Sequence, residues 1–232
     1  MTPATLTPAR PHVKVCCISS PAEAEAALAA GAHALGLVSA MPSGPGVIDE
    51  VLIATIAAQV AQSRPDVQTF LLTPQTTAAA ILAQHQRCRT TTLQLVDHVP
   101  ADELARLRAA LPGVRLVQVI HVIGEHSVAE ASAAAPLVDA ILLDSGNPAA
   151  AVKELGGTGR THDWALSRRI RAAVAALGKP LYLAGGLHAG NVAEAVAAVQ
   201  PYGLDVCSGV RQDGRLHAGR LAAFFDALPK AL

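Results

Sequence analysis

The 232-residue chain carries 18 Lys and Arg against 18 Asp and Glu, a formal net charge of +0, with 51% hydrophobic residues and a mean hydropathy of +0.36. Balanced charge with no basic cluster leaves no electrostatic footprint for nucleic acid or an anionic membrane, so small molecules are the expected partners. Aromatic residues make up only 3%, and a core for one α/β barrel, a class of roughly 200–250 residues, has to come from Ala, Val, Leu and Ile.

Four cysteines, Cys16, Cys17, Cys88 and Cys207, follow neither a disulfide framework nor paired metal-ligand spacing, which predicts a reduced, cytoplasmic protein. The start MTPATLTPARPH lacks the charged and apolar blocks of a signal peptide. Residues 1–11 read as a loose tail and 12–232 as a single domain. No apolar run approaches the roughly 20 residues of a membrane helix. His33, His121 and His188 share no metal-binding spacing, so no metal site is expected.

In chain order, residues 12–17 (HVKVCC) predict a first strand, and the Ser-Ser-Pro-Ala-Glu sequence at 19–23 starts an Ala-rich helix running to Gly31. Strands follow at 33–39, 67–72, 90–96, 114–121, 138–143, 181–184 and 204–207. Helices alternate with them at 47–62, 74–86, 101–111, 127–134, 164–177, 191–199 and 217–228. About eight strand–helix units with short connections and no composition break predict a parallel sheet closed into a (β/α)8 TIM barrel. An open doubly wound sheet is the alternative, weakened because residues 16–20 (CCISS) lack the glycine fingerprint of a dinucleotide site.

In a barrel the chemistry sits in the loops after the strands' carboxyl ends. The sixth strand stops at Asp144, and its loop ends in the run GGTGR at 156–160, expected to fold over the substrate and to bind it through Gly157, Gly159 and Arg160. A lone Asp after a strand is as easily a local cap. Cys16, after the first strand, and Asp144 are suited to an acid–base pair across the mouth, since a thiol of lowered pKa is a competent base and a desolvated carboxyl a competent acid. A single buried cysteine is more often a small apolar filler, the reading kept for Cys17, Cys88 and Cys207. Gly185 and Gly186 after the seventh strand, with Ser208 and Gly209 after the eighth, let bare backbone approach an anion, as barrels that bind phosphorylated sugars do between these loops. Simple tight turns are the plainer reading of the same glycines.

Taken together, Lys14-Val15-Cys16, the stretch GAHALGLV at 31–38, Leu142-Leu143-Asp144-Ser145, GGTGRTHDW at 156–164, LAGGL at 183–187 with Asn191-Val192, and DVCSGV at 205–210 resemble the phosphoribosylanthranilate isomerase family of tryptophan biosynthesis, in order along nearly the whole chain. The resemblance implies a (β/α)8 barrel that performs an Amadori rearrangement of a phosphoribosyl amine, without a cofactor; the Ala-rich surface is compatible with a monomer or a homodimer. It implies Cys16 as general base, Asp144 as general acid, a phosphate site at Gly185, Gly186, Ser208 and Gly209, and Asp205 near the sugar hydroxyls.

Four loops depart from the family pattern. Cys-Gly-Ile-Thr is here Cys16-Cys17-Ile18-Ser19; the Ser-Pro-Arg of loop two, whose arginine meets the anthranilate carboxylate, is Ser43-Gly44-Pro45-Gly46; Gln-Leu-His-Gly is Gln94-Leu95-Val96-Asp97; and Ser-Gly-Val-Glu is Ser208-Gly209-Val210-Arg211. The missing arginine removes a charge-assisted contact worth on the order of 2–3 kcal/mol, and Arg211 is the candidate replacement, for either the aglycone or the phosphate. A relative acting on another phosphoribosyl amine, and a non-catalytic phosphosugar-binding barrel, are the alternatives.

Overall fold

The computed structural model describes residues 10–146 and 161–229. Eight parallel strands, β1 (His12–Val15), β2 (Ala34–Val38), β3 (Gln68–Thr73), β4 (Thr92–Leu95), β5 (Arg115–His121), β6 (Ala140–Asp144), β7 (Leu181–Leu183) and β8 (Gly203–Val206), close into a barrel in sequence order, with β1 pairing both β2 and β8. Each strand is followed by a helix: α1 (Pro21–Ala29), α2 (Glu50–Ser63), α3 (Ala78–Cys88), α4 (Ala101–Ala110), α5 (His126–Ala134), α6 (Trp164–Ala176), α7 (Val192–Val199) and α8 (Ala218–Asp226). The expected (β/α)8 architecture is therefore the one observed.

Near-continuous apolar strands serve two cores at once. In β2 all five residues are buried. Alternate side chains pack outward against the helices, where Leu35, Leu37, Ile53, Ile56 and Leu71 belong to the larger cluster. The others fill the barrel interior, where Ala34, Phe70, Leu72, Val119, Leu142 and Tyr182 form the smaller one. Small polar side chains fix the helix starts by accepting otherwise unpaired N–H groups. Ser20 accepts from Glu23 at α1, Asp49 from Leu52 at α2, Thr77 from Ala80 at α3, and Asp163 from Ala165 and Leu166 at α6.

Element boundaries differ from the sequence expectation for local reasons. The first strand ends at Val15 rather than at residue 17, because Cys17 turns the chain with φ 61°. Helix α2 starts at Glu50 rather than 47, since Val47 still bridges to Val38 and Asp49 supplies the cap. Strand β6 extends to Asp144, so this carboxylate is the strand's last residue. An unpredicted two-residue hairpin, β9 (Arg211–Gln212) with β10 (Arg215–Leu216), precedes α8. Of the expected tail, residues 1–9 lie outside the described residues, while Arg10 donates to the Phe225 carbonyl at 3.1 Å. No helix of the described residues is long and apolar enough to cross a membrane.

Candidate active site

A cavity opens at the carboxyl ends of the strands, walled by Cys16 and Cys17 after β1, residues 43–45 after β2, Gln94 on β4, Asp144 on β6, residues 184–187 after β7, and Asp205, Cys207 and Ser208 on or after β8. Cys16 and Asp144, expected as a pair, do face the same space.

Cys16 is buried, and its thiol lies over Gly36 of β2. A Cβ at Gly36 would come within 2.6 Å of Cys16 Sγ and 3.0 Å of Lys14 Nζ, so a side chain there would displace one or the other. Lys14, two residues earlier on β1 and therefore on the same inner face, is fully buried and paired with Asp205 Oδ2 at 2.8 Å. The Phe70 ring lies beneath the ammonium, 5.3 Å from its centroid. Burial opposes the charge on Lys14, but the Asp205 carboxylate and the Cys16 thiol outweigh it and raise its pKa. Cys16 is held below the ordinary thiol range, first by hydrogen bonding from Cys17, against the pull of burial, and then by the Lys14 charge. A thiol of this kind carries more thiolate near neutrality, as a base requires.

Asp144 is shifted the opposite way. Burial at the end of β6 raises its pKa, helped by the Asp205 charge and opposed by the Ser145 N–H, which donates to Oδ1 at 2.7 Å, and by His121 and Lys14. A carboxyl that keeps its proton to higher pH is suited to be a general acid. Across the sheet His121 is its register partner, and the His121 ring is tied through Nε2 to the Val96 carbonyl at 3.0 Å.

The anion side is built from backbone. Gly185 and Gly186 adopt φ 86° and 61°, a turn that a side chain would strain. Asn191 pins it, donating from Nδ2 to the Gly186 carbonyl at 3.0 Å and accepting the His188 N–H on Oδ1 at 2.8 Å. Ser208 is exposed at the start of a single 3-10 turn, Ser208–Val210. Gly209 is not among the residues lining the cavity. A Cβ there would approach the Leu187 carbonyl to 2.0 Å, so its glycine lets loop eight pack on loop seven.

Arg211 also corrects an expectation. Its side chain does not line the cavity as a counter-charge to substrate. It runs behind loop one, where its guanidinium pairs with Glu23 at 3.0 Å and donates to the Cys16 and Cys17 carbonyls. Glu23 completes the clasp by accepting the Ser19 and Leu216 N–H groups. A buried guanidinium with a carboxylate that close is an internal strut. The sites assigned to Gly157, Gly159 and Arg160 lie outside the described residues.

Lys14 and Gln94 carry a signal that the motif reading passed over. A lysine inside a buried strand and a glutamine 3% exposed on β4 are both costly unless paired or used. Gln94 Oε1 has no partner among the described residues and borders the cavity, as does Asp205, whose Oδ1 is likewise unpartnered among them. Of the cysteines read as fillers, Cys88 is fully buried in the outer core, its thiol pushed up to about 11 by burial. Cys17 and Cys207 instead sit on the cavity wall with their sulfurs 2.8 Å apart.

Residues 13–227 match the family model described as N-(5'phosphoribosyl)anthranilate (PRA) isomerase. The N-(5'-phosphoribosyl)anthranilate isomerase of Methanocella arvoryzae is 34% identical over 216 residues, covering 92% of this chain and 95% of the relative. That of Haloferax volcanii is 38% identical over 204 residues, covering 88% and 86%. Among solved structures, a phosphoribosyl anthranilate isomerase in complex with reduced 1-(o-carboxyphenylamino)-1-deoxyribulose 5-phosphate has the same fold, with TM-score 0.75, 22% identity and coverage of 94% of this chain and 97% of that one.

Proposed function

The chain belongs to the N-(5'-phosphoribosyl)anthranilate isomerase family, and on that premise we propose that it isomerises a phosphoribosyl amine, with phosphoribosylanthranilate as the first substrate to test, using Cys16 as base and Asp144 as acid. The observation that carries the reading is that Cys16 and Asp144 line one cavity at the carboxyl ends of β1 and β6, in surroundings that favour loss of the thiol proton and retention of the carboxyl proton. Asp144 protonates the ribose ring oxygen, and the furanose opens to a protonated Schiff base. Cys16 then removes the C2′ proton, and the resulting enolamine tautomerises to the aminoketose. Gly185, Gly186 and Ser208 are the proposed phosphate cradle, and Asp205, anchored by Lys14, the group beside the sugar hydroxyls.

The test is steady-state turnover of phosphoribosylanthranilate. Cys16→Ala and Asp144→Asn each lower kcat by about 10²–10⁴-fold with the fold intact. In the parent, kcat/KM rises with pH as Cys16 loses its proton and falls as Asp144 loses its own, and Asp144→Asn removes the alkaline limb. Folded protein with no turnover, or variants at parental rate, would sink the assignment.

A second reading concerns the aglycone. Among the described residues lining the cavity none is cationic, and loop two offers Met41, Ser43, Gly44 and Pro45 where the family pattern has an arginine. This supports an aglycone without a carboxylate. Comparing kcat/KM for phosphoribosylanthranilate with that for the aniline analogue decides it. A preference of about tenfold or more for the anthranilate, roughly one charge-assisted contact, returns the reading to the strict substrate.

A further inference from the structure

Loop one and loop eight each bring a cysteine to the same point of the cavity wall. Cys17 Sγ lies 2.8 Å from Cys207 Sγ, inside non-bonded contact and not far beyond the S–S bond of about 2.05 Å. Both are free thiols. Loop two holds Cys17 from the other side, where its thiol meets the Pro45 carbonyl at 3.6 Å and a Cβ on Gly46 would come within 2.4 Å of Cys17 Cβ. The backbone at Cys17 is left-handed, φ 61°, a conformation that favours glycine and disfavours a side chain. Here a thiol is carried at that cost and aimed at a second thiol.

We propose that Cys17 and Cys207 are a modification site, a thiol pair that hydroperoxides oxidise to a disulfide linking loops one and eight and that thereby lowers the activity resting on Cys16. Cys207 is half-buried and borders the cavity, so it meets the oxidant first, whereas Cys17 is 4% exposed. The Cys207 sulfur attacks the hydroperoxide oxygen, breaking the O–O bond to give a sulfenic acid and an alcohol, or water from hydrogen peroxide. The Cys17 sulfur then attacks the sulfenic sulfur, and the hydroxyl leaves as water with the Cys17 proton. Two thiols lose two electrons, the hydroperoxide gains them, and an external dithiol reverses the step.

Catalysis is coupled to this bond through Cys16. Cys17 directly follows Cys16 in loop one, and Cys16, Cys17 and Cys207 border the same cavity, so a bond that draws the Cys17 and Cys207 sulfurs together shifts the loop that carries Cys16. Loss of the Cys17 thiol, which helps to lower the Cys16 pKa, acts in the same direction. The bond itself stands on the placement of the two thiols, while its effect on turnover rests on Cys16 being the base.

The experiment uses the full chain, reduced, desalted and exposed to stoichiometric hydrogen peroxide. The expected result is an intact-mass loss of two hydrogens, two of the four cysteines protected from alkylation, and a cross-linked peptide that joins Cys17 to Cys207. With it comes a fall in kcat/KM on the order of tenfold, reversed by dithiothreitol. Cys17→Gly and Cys207→Ser abolish the mass change, and Cys16→Ala, with the competing thiol removed, retains it. If Cys16→Ala does not fold, fragmentation between Cys16 and Cys17 in the parent assigns the bond. Oxidation confined to Cys16, or a cross-link using Cys16, overturns the pair. A Cys17–Cys207 bond that leaves kcat/KM unchanged overturns the coupling and leaves the proposed isomerase assignment standing.

Discussion

The two ends of the barrel interior are built from opposite materials. Toward the amino-terminal end the chain spends its scarce rings. His12 stacks on His33 at 4.6 Å and lies 4.7 Å from Tyr202, Tyr202 meets Tyr182 edge-on at 5.5 Å, and Tyr182 meets Phe70 at 6.1 Å. The packing is tight enough that a Cβ on Gly203 would come within 2.4 Å of the Tyr182 ring. Toward the carboxyl end the same interior holds a lysine, an aspartate, a glutamine and a thiol, and the Gln94 Oε1 and Asp205 Oδ1 atoms have no partner among the described residues. One end closes the barrel and contributes stability; the other gives stability up to keep charge where a substrate can meet it. Lys14 marks the boundary, with Phe70 below it and Asp205 and Cys16 beside it.

The sharpest way to break this contrast is Lys14→Met. It strands Asp205 as a buried carboxylate without a partner, and a loss of about 3–5 kcal/mol in denaturant unfolding is expected, together with most of the activity. The double variant Lys14→Met with Asp205→Leu separates the two effects. If the ion pair serves the site rather than the fold, unfolding stability returns most of the way to the parental value while kcat/KM does not. Stability that stays low in the double variant would mean that the pair is a fold determinant, and the contrast between the ends would fail.

A smaller loss comes with pH at the same end. His162, just before α6, is neutral and largely buried, both ring nitrogens without a partner among the described residues, and burial pulls its pKa down to about 4. The unfolded chain, with an ordinary value near 6.5, binds that proton more readily. Stability is therefore full above about pH 6.5 and declines as pH falls toward 4, by roughly 3 kcal/mol at the low end. His162→Gln should flatten that part of the unfolding-versus-pH curve. A variant curve parallel to the parent's between those values would show that His162 bears none of the acid sensitivity.

The same contrast explains what was legible in the sequence. The eight strands were readable because a strand buried on both faces has no choice but to be apolar, and Asp144 stood out as the polar residue that ends such a run. Gly185 and Gly186 were readable as a turn before any fold was known. Arg211 was misread because its partner Glu23 is distant in sequence, and only closure of β8 on β1 makes them neighbours. Cys17 and Cys207 passed for fillers for the same reason. Gly209 was readable as a glycine that lets backbone approach an anion, but not as one that loop eight also needs in order to pass the Leu187 carbonyl. The aromatic plug was invisible, since nothing in the spacing of Phe70, Tyr182 and Tyr202 along the chain announces that β3, β7 and the residue just before β8 bring them together.

That plug supplies the mildest and most selective test. Tyr182→Leu keeps an apolar side chain on β7 but removes the ring that meets both Phe70 and Tyr202, at a cost of about 2 kcal/mol from lost area and edge-on contacts. Tyr182 is not among the described residues that line the cavity, so kcat/KM per folded molecule is expected within about twofold of the parent's, in keeping with the division between the two faces of such barrels. Thermal unfolding and active-site-normalised kinetics measure the two quantities separately. A fall in kcat/KM larger than the fall in folded fraction would mean that the plug positions Lys14 through Phe70, and the two ends would then have to be treated as one unit.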